Sequence, residues 1–325
     1  MIRYIARRAL HTALLLAVMS AIVFAGVYLI GDPVDILIDP QASQIEAARA
    51  AAALGLDRPL PVQYWRFLLH ALHGDLGTSF VANVPAMGLV LQRFPATLEL
   101  AVAASLIAIA LGVPLGLWAG MRPDSRAARI IMTGSILGFS LPTFWVGVML
   151  VSLFSVGLGW LPPAGRGETV AVLGVPVSLL TLDGWRHALL PAFNLALFQL
   201  ALMIRLVRAG AVDAYASDYV RFARAKGVPE SRIARRHVWP NIAIPVVTVA
   251  GLEFGSVIAF AIVTETIFAW PGMGKLLIDS INMLDRPVVV AYLLLVVCLF
   301  VTVNFVLDLV YTALDPRVRL PGERA

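Results

Sequence analysis

A chain of 325 residues that is 60% hydrophobic and only 14% charged is not an ordinary soluble globular protein, in which about a quarter of residues are charged. A mean hydropathy of +0.86 points instead to helices that cross a membrane. The net charge of +5 would suit a nucleic-acid binder. The arginines and lysines cluster between apolar runs, however, which fits orientation in a membrane and leaves nucleic acid without a basic domain to bind.

The chain reads as an all-α polytopic membrane protein with six transmembrane helices. The first apolar run covers 9–30, after Arg3, Arg7 and Arg8. It is longer than the apolar core of a signal peptide and lacks a good cleavage site, so it reads as an uncleaved first helix. Residues 31–95 are too long for a plain connection. Here 44–54 is alanine-rich and helix-forming, and 60–73 opens on Pro61 with Val62, Trp65, Leu68, Leu69 and Leu72 at helical spacing. A short helix over 85–94 completes a small folded cap outside the membrane. The remaining runs are 97–121, 129–158, 188–207, 242–267 and 288–312. Cys298, the one cysteine, lies in the last run and has no disulfide partner in the chain.

Orientation follows from the basic residues. With the N-terminus inside, the inner segments hold 17 of the 25 arginines and lysines and the outer segments hold eight. Without the long outer segment, where the rule weakens, only four remain outside. Both termini are therefore expected in the cytoplasm.

The densest basic segment, within 213–240, carries the functional signal. Tyr219, Val220, Phe222 and Ala223 share an apolar arc on a helical wheel, with Arg221 and Arg224 opposite. Gly227 is suited to the left-handed position that closes a helix, and Pro229 to the first turn of the next. Ile233, Ala234, His237 and Val238 share a face of that second helix, and Pro240 separates it from the fifth run. Two short helices with an apolar arc make a surface that another protein can grip.

Other residues have side chains suited to chemistry or binding. Gly272-Met273-Gly274-Lys275 looks like a phosphate-binding loop but lacks the first glycine and the following Ser or Thr, so it reads as a turn. Glu99 and Glu253 lie within apolar runs, where a carboxylate costs about 2.5–3.5 kcal/mol unless paired, near an end or facing water. Glu99 is near the outer end of its run and reads as structurally bonded. Glu253 is deeper and is a candidate for the translocation path, where it would meet a peptide's amino group. His70 and His73 are too few to argue for a metal site. No residue set resembles a paired nucleophile and base, and no metal or catalytic site is expected.

With these residues in view, the segment 213–240 resembles the EAA loop of permease subunits in bacterial ABC importers. Gly227 and Pro240 keep that pattern's spacing. Arg221-Phe222-Ala223 stands where Glu-Ala-Ala is usual, and His237 and Trp239 replace its Ile and Leu. The version Tyr219-Val-Arg-Phe-Ala-Arg-Ala-Lys-Gly227 is similar to that of the dipeptide, oligopeptide and nickel branch. Resemblance to that branch's B-type subunit extends over nearly the whole chain. It includes Gly31-Asp32-Pro33, Leu54–Pro59, Gly74–Ser79, Pro95–Leu100, Ser140–Trp145, Glu265–Gly272 and Leu314–Arg317.

This resemblance implies a subunit of the bacterial inner membrane, with residues 1–30 as its first helix, 31–95 as the external cap and 96–325 as the transmembrane core. It implies a second, related permease subunit, two cytoplasmic ATPases that carry ATP and Mg, and a periplasmic or lipid-anchored binding protein. This chain itself would bind no cofactor and hydrolyse nothing. The coupling helix would lie within Tyr219–Pro240, with Arg221, Arg224 and Gly227 as its leading contact residues. The implied cargo is a di- or oligopeptide, with nickel chelates or glutathione as the alternative. A stand-alone secondary transporter would show inverted repeats with broken midplane helices, and none is legible.

Overall fold

The computed structural model describes residues 14–26 and 58–314. The expected helix over 44–54, the motifs at 31–33 and 314–317, and most basic residues of both termini lie outside them. The described chain is helical except for loops and one small hairpin. In chain order the helices are α1 (Leu14–Gly26), α2 (Leu60–Leu72), α3 (Ala86–Met121), α4 (Arg126–Ser140), α5 (Thr143–Leu150), α6 (Leu182–Ala216), α7 (Asp218–Ala225), α8 (Glu230–Ile233), α9 (Trp239–Ile267), α10 (Met273–Asn282) and α11 (Arg286–Leu314). Wide π turns extend α5 over Val151–Gly157 and join α8 to α9 over Ala234–Val238.

Among the described residues, four helical runs are long and apolar enough to span a membrane: α3, α6, the continuous run Glu230–Ile267, and Arg286–Val306 of α11. The described part of the first apolar run, α1, is shorter.

The third expected span is not one continuous helix. It is two helices, α4 and α5, bent by 107° at Leu141-Pro142. Proline forces the residue before it out of the helical region, and Leu141 sits at φ −80°, ψ 136°. Counting this pair as one gives up to five spans among the described residues.

The second span also differs. The short helix over 85–94 is not separate but is the first part of α3, which continues through Pro95 for 36 residues. An all-α reading also missed a hairpin. Strands β1 (Val170–Val172) and β2 (Val175–Val177) pair antiparallel in the register Val170↔Val177, around a turn at Leu173 and Gly174 with φ of 52° and 83°. Two successive left-handed residues match the twist of a tight hairpin.

The described chain divides into two compact units, cut between 96 and 97, 270 and 271, and 301 and 302. In the unit formed by 97–270 and 302 onward, a close helix seam runs between α3 and α6. Gly112, Gly116 and Gly120 face α6 so tightly that an added Cβ would lie 2.7 Å from Met203 Cβ, 2.7 Å from Val207 Cβ and 2.5 Å from Ala211 Cβ. Small residues four apart let membrane helices approach and gain dispersion contact that lipid cannot supply. That spacing was present in the sequence.

The buried carboxylates of this unit, Glu99 and Glu265, are both paired, whereas Ser155 Oγ, Arg208 Nε and Tyr215 Oη are buried with no hydrogen-bond partner among the described residues. Glu99 accepts from the Ser178 backbone N–H at 2.8 Å and its hydroxyl at 2.7 Å, and from Arg166 at 3.0–3.1 Å. Arg166 also donates to the Pro176 carbonyl at 2.6 Å. The carboxylate therefore bonds structurally, fastening the hairpin to the start of the span. A second node went unread in the sequence: fully buried Glu265 accepts from Thr97 at 2.6 Å, and Asn194 donates to Thr264 at 3.0 Å.

In the other unit, Asp285 accepts from the Ser79 hydroxyl and from the Phe80 N–H. It pins the loop that follows α2 to the turn between α10 and α11. Lys275, from the phosphate-loop look-alike, pairs with Asp279 one turn on, at 2.6 Å.

Candidate functional site

The basic segment after α6 folds as a helix, a tight turn and a second helix. Ser217 ends α6 in an extended conformation, and α7 starts at Asp218. After Lys226, Gly227 takes φ 74°, and its N–H donates to the Arg224 carbonyl at 2.9 Å. Val228 N–H then reaches back to Ala223 O at 3.2 Å, so glycine closes the helix by satisfying its last carbonyls. Pro229 is the N-cap of α8, with φ −66°.

Pro240 does not separate the second short helix from the fifth span. The helical run continues from Glu230 to Ile267. The π turn is the reason. Trp239 N–H donates five residues back to Ala234 O, and the widened turn makes room for a proline ring that has no N–H to place.

The apolar arc of α7 splits in two. Val220 and Ala223 are buried with Ile233 and Val238 in one core that also takes Val207, Ala211 and Ala214 of α6 and Ile242 and Val246 of α9. Tyr219 and Phe222, read from the sequence as part of the same arc, face outward, and Phe222 is 62% exposed. Tyr219 is held by Asn241, whose amide donates to its hydroxyl at 2.9 Å. Lys226 lies over the Phe222 ring at 4.3 Å.

The two leading arginines differ. Arg221 is exposed and reaches only Asp218, at 3.4 Å. Arg224 spans the Gly227 turn: its guanidinium donates to both Glu230 oxygens at 2.6 and 3.3 Å and sits 5.5 Å from the centre of the Tyr215 ring. The hydrogen bond to Glu230 pushes the Arg224 pKa up, so it keeps its charge. This geometry makes Arg224 a brace within the segment, while Arg221, Arg232, Arg235 and Arg236 stay on its exposed surface.

Glu253 lies apart from this segment, far along α9. It is half-buried and makes no hydrogen bond or ion pair among the described residues. His73 turns back on its own helix, with Nδ1 2.7 Å from the Leu69 carbonyl oxygen.

Comparison with known proteins places this architecture. Residues 112–320 match the family model described as "Binding-protein-dependent transport system inner membrane component", and residues 1–101 match that family's N-terminal model. The glutathione transport system permease protein GsiC of Salmonella paratyphi A is 38% identical over 320 residues, covering 98% of this chain and 99% of that protein. Its counterpart from Escherichia coli K12 is 37% identical over the same coverage. A chain of the MetNI methionine ABC transporter in an inward-facing form superposes with a TM-score of 0.53 at 16% identity, covering 70% of this chain and 97% of that one, a likeness of fold alone. The helices, the full-length relatives and the family models agree: the chain belongs to the inner-membrane components of binding-protein-dependent transport systems and is the permease of an ABC importer.

Proposed function

We propose that this chain forms half of the pore of an ATP-driven importer of short peptides, and that 213–240 is the element its ATPases grip. The family works with ATPase subunits and a substrate-binding protein. In this reading two cytoplasmic ATPases hold the ATP and Mg, a second and different permease subunit completes the pore, and the binding protein delivers cargo from the periplasm. Six spans cross the inner membrane with both termini inside. The first is the apolar run that contains α1, and the third is the bent pair α4–α5.

One observation carries the coupling reading. The segment has one face sunk into the ends of α6 and α9 through Val220, Ala223, Ile233 and Val238, and the opposite face left out with Tyr219, Arg221 and Phe222. A push on the outer face is therefore delivered to two spans through close-packed side chains. Nucleotide drives the cycle only if the closed ATPase pair favours one pore state over the other. Gly227 and Arg224 keep the two short helices at a fixed angle, and Pro240 with its π turn passes the second helix into α9 without a joint.

For cargo, the curated relatives are named as glutathione permeases. Glutathione is itself a small peptide, so the reading is a short-peptide importer with glutathione as the first cargo to test. Glu253, half-buried without a partner among the described residues, is assigned to the translocation path, where it would meet a cargo amino group.

Reconstitution tests the whole reading. Vesicles holding this chain, its partner permease and the ATPase pair, supplied with the binding protein, should accumulate labelled glutathione or a dipeptide only with ATP. Uptake by this chain alone down an ion gradient would overturn it.

A further inference from the structure

The outer segment after the first span contains a helix whose surface is sorted into three sectors. One sector of α2 is partly covered and recurs at helical spacing: Tyr64, Phe67, Leu68 and Ala71. It lies along α1. The Tyr64 hydroxyl is 3.0 Å from Ser20 Oγ and 3.4 Å from Ala17 O, and the Phe24 ring is 5.3 Å from Tyr64 and 5.5 Å from Phe67. The contacts on α1 run over two turns, so the helices meet along a seam rather than at a point.

The next sector around α2 is Val62, Trp65, Leu69 and Leu72. All four are exposed, Trp65 by 60% and Leu72 by 76%. The third sector is polar: Gln63, Arg66, His70 and His73. Helical periodicity places the three sectors in that order around the axis.

Single exposed apolar residues need no explanation, but four in one sector including a tryptophan do. The neighbour of α2 decides what covers them. Its covered face rests on α1, whose own Leu14, Leu15, Val18 and Ile22 are exposed as a lipid-facing helix requires. The bare sector of α2 adjoins that seam. A helix with two apolar sectors, one polar sector and a tryptophan among the apolar side chains has the layout of one that lies in the membrane interface.

We propose that α2 is an interfacial helix seated in the outer leaflet. Val62, Trp65, Leu69 and Leu72 enter the boundary between headgroups and acyl chains, and Gln63, Arg66, His70 and His73 face water. The helix is then part of the membrane surface and not of a solvated cap. The loop after it, pinned by Asp285, is thereby tied to the membrane plane as well as to the α10–α11 turn. The proposal rests on the reading of 9–30 as a span.

The test uses the complete importer in bilayer discs of phosphatidylethanolamine and phosphatidylglycerol, in a Cys298→Ser background. Spin labels are placed singly at Leu69→Cys, Leu72→Cys, Arg66→Cys and His70→Cys, with Val18→Cys on α1 as reference. Collision with lipid-soluble oxygen is compared with collision with a water-soluble nickel chelate. The expected oxygen-to-nickel ratio is several-fold higher at Leu69 and Leu72 than at Arg66 and His70, and highest at Val18. Nickel access at all four α2 positions, with Val18 still lipid-exposed, overturns the interfacial seat and leaves the span standing. Shielding of Leu69 and Leu72 from both reagents also overturns it, because protein then covers the sector. Nickel access at Val18 overturns the span and the proposal together.

Discussion

Helices α2 and α7 are both short and amphipathic, and their apolar sides meet different things. In α7 the arc is divided: Val220 and Ala223 vanish into a core shared with α6 and α9, while Tyr219 and Phe222 stay outside. In α2 no residue is fully buried, and a whole apolar sector is bare beside the one that rests on α1. The contrast teaches that helical periodicity says which residues share a face but not what the face touches. For α7 it is protein on one side and an exposed face on the other, which the proposed function gives to a docking partner. For α2 it is a neighbouring helix and a bare sector, which the interfacial proposal gives to lipid.

The sharpest break in this comparison comes from a charge in each apolar face. Val220→Asp places a carboxylate in a closed core and should destabilise the permease by several kcal/mol, read as loss of the assembled complex or a large drop in Tm. Leu69→Asp on α2 should leave assembly intact, because that sector is not packed against protein.

Next in size is the turn. Gly227 at φ 74° has nothing within 4 Å of an added Cβ, so Gly227→Val acts through backbone strain alone, of the order of 1–2 kcal/mol. The strain falls on the angle between the two short helices. Uptake should fall sharply and substrate-stimulated ATP hydrolysis should be lost, while the complex still assembles. Normal stimulation in that variant would remove the turn from the coupling path.

A smaller effect on uptake, though not on stability, is expected at the seam between α3 and α6. Gly116→Leu forces a side chain against Val207 and the Ile204 carbonyl and should cost about 1–3 kcal/mol, measurable as a lower Tm. The smallest concerns the brace: Glu230→Gln breaks a half-exposed ion pair worth at most about 1 kcal/mol, so stability should hardly change. Any loss of uptake there would reflect a looser turn.

Local signals carried much of this in the sequence. Pro61 and the spacing of Val62, Trp65, Leu69 and Leu72 marked α2, and Gly227 with Pro229 marked the joint, because capping chemistry and periodicity act within a few residues. Glu99 near a span end pointed to a bond, though its partners Arg166 and Ser178 are too distant along the chain to be read. What stayed hidden depends on neighbours. The bend at Pro142 was masked by an unbroken apolar run, and the π turn that carries Pro240 has no signature in residue type. The hairpin at 170–177 had one, alternating valines around Leu-Gly, but was overshadowed by the helices. The glycines at 112, 116 and 120 signal close approach without saying to which helix. The division of the α7 arc could not be read at all, since it is set by where α6 and α9 place Ala211 and Ile242.

That division is the centre of the account, and cross-linking tests it most directly. A photo-reactive phenylalanine analogue at position 222 of the complete importer should form an adduct with an ATPase subunit. The same group at Leu173, on the hairpin tip, should form none. An adduct at 222 with lipid alone, or equal ATPase adducts from both positions, would contradict the reading of 213–240 as the element the ATPases grip.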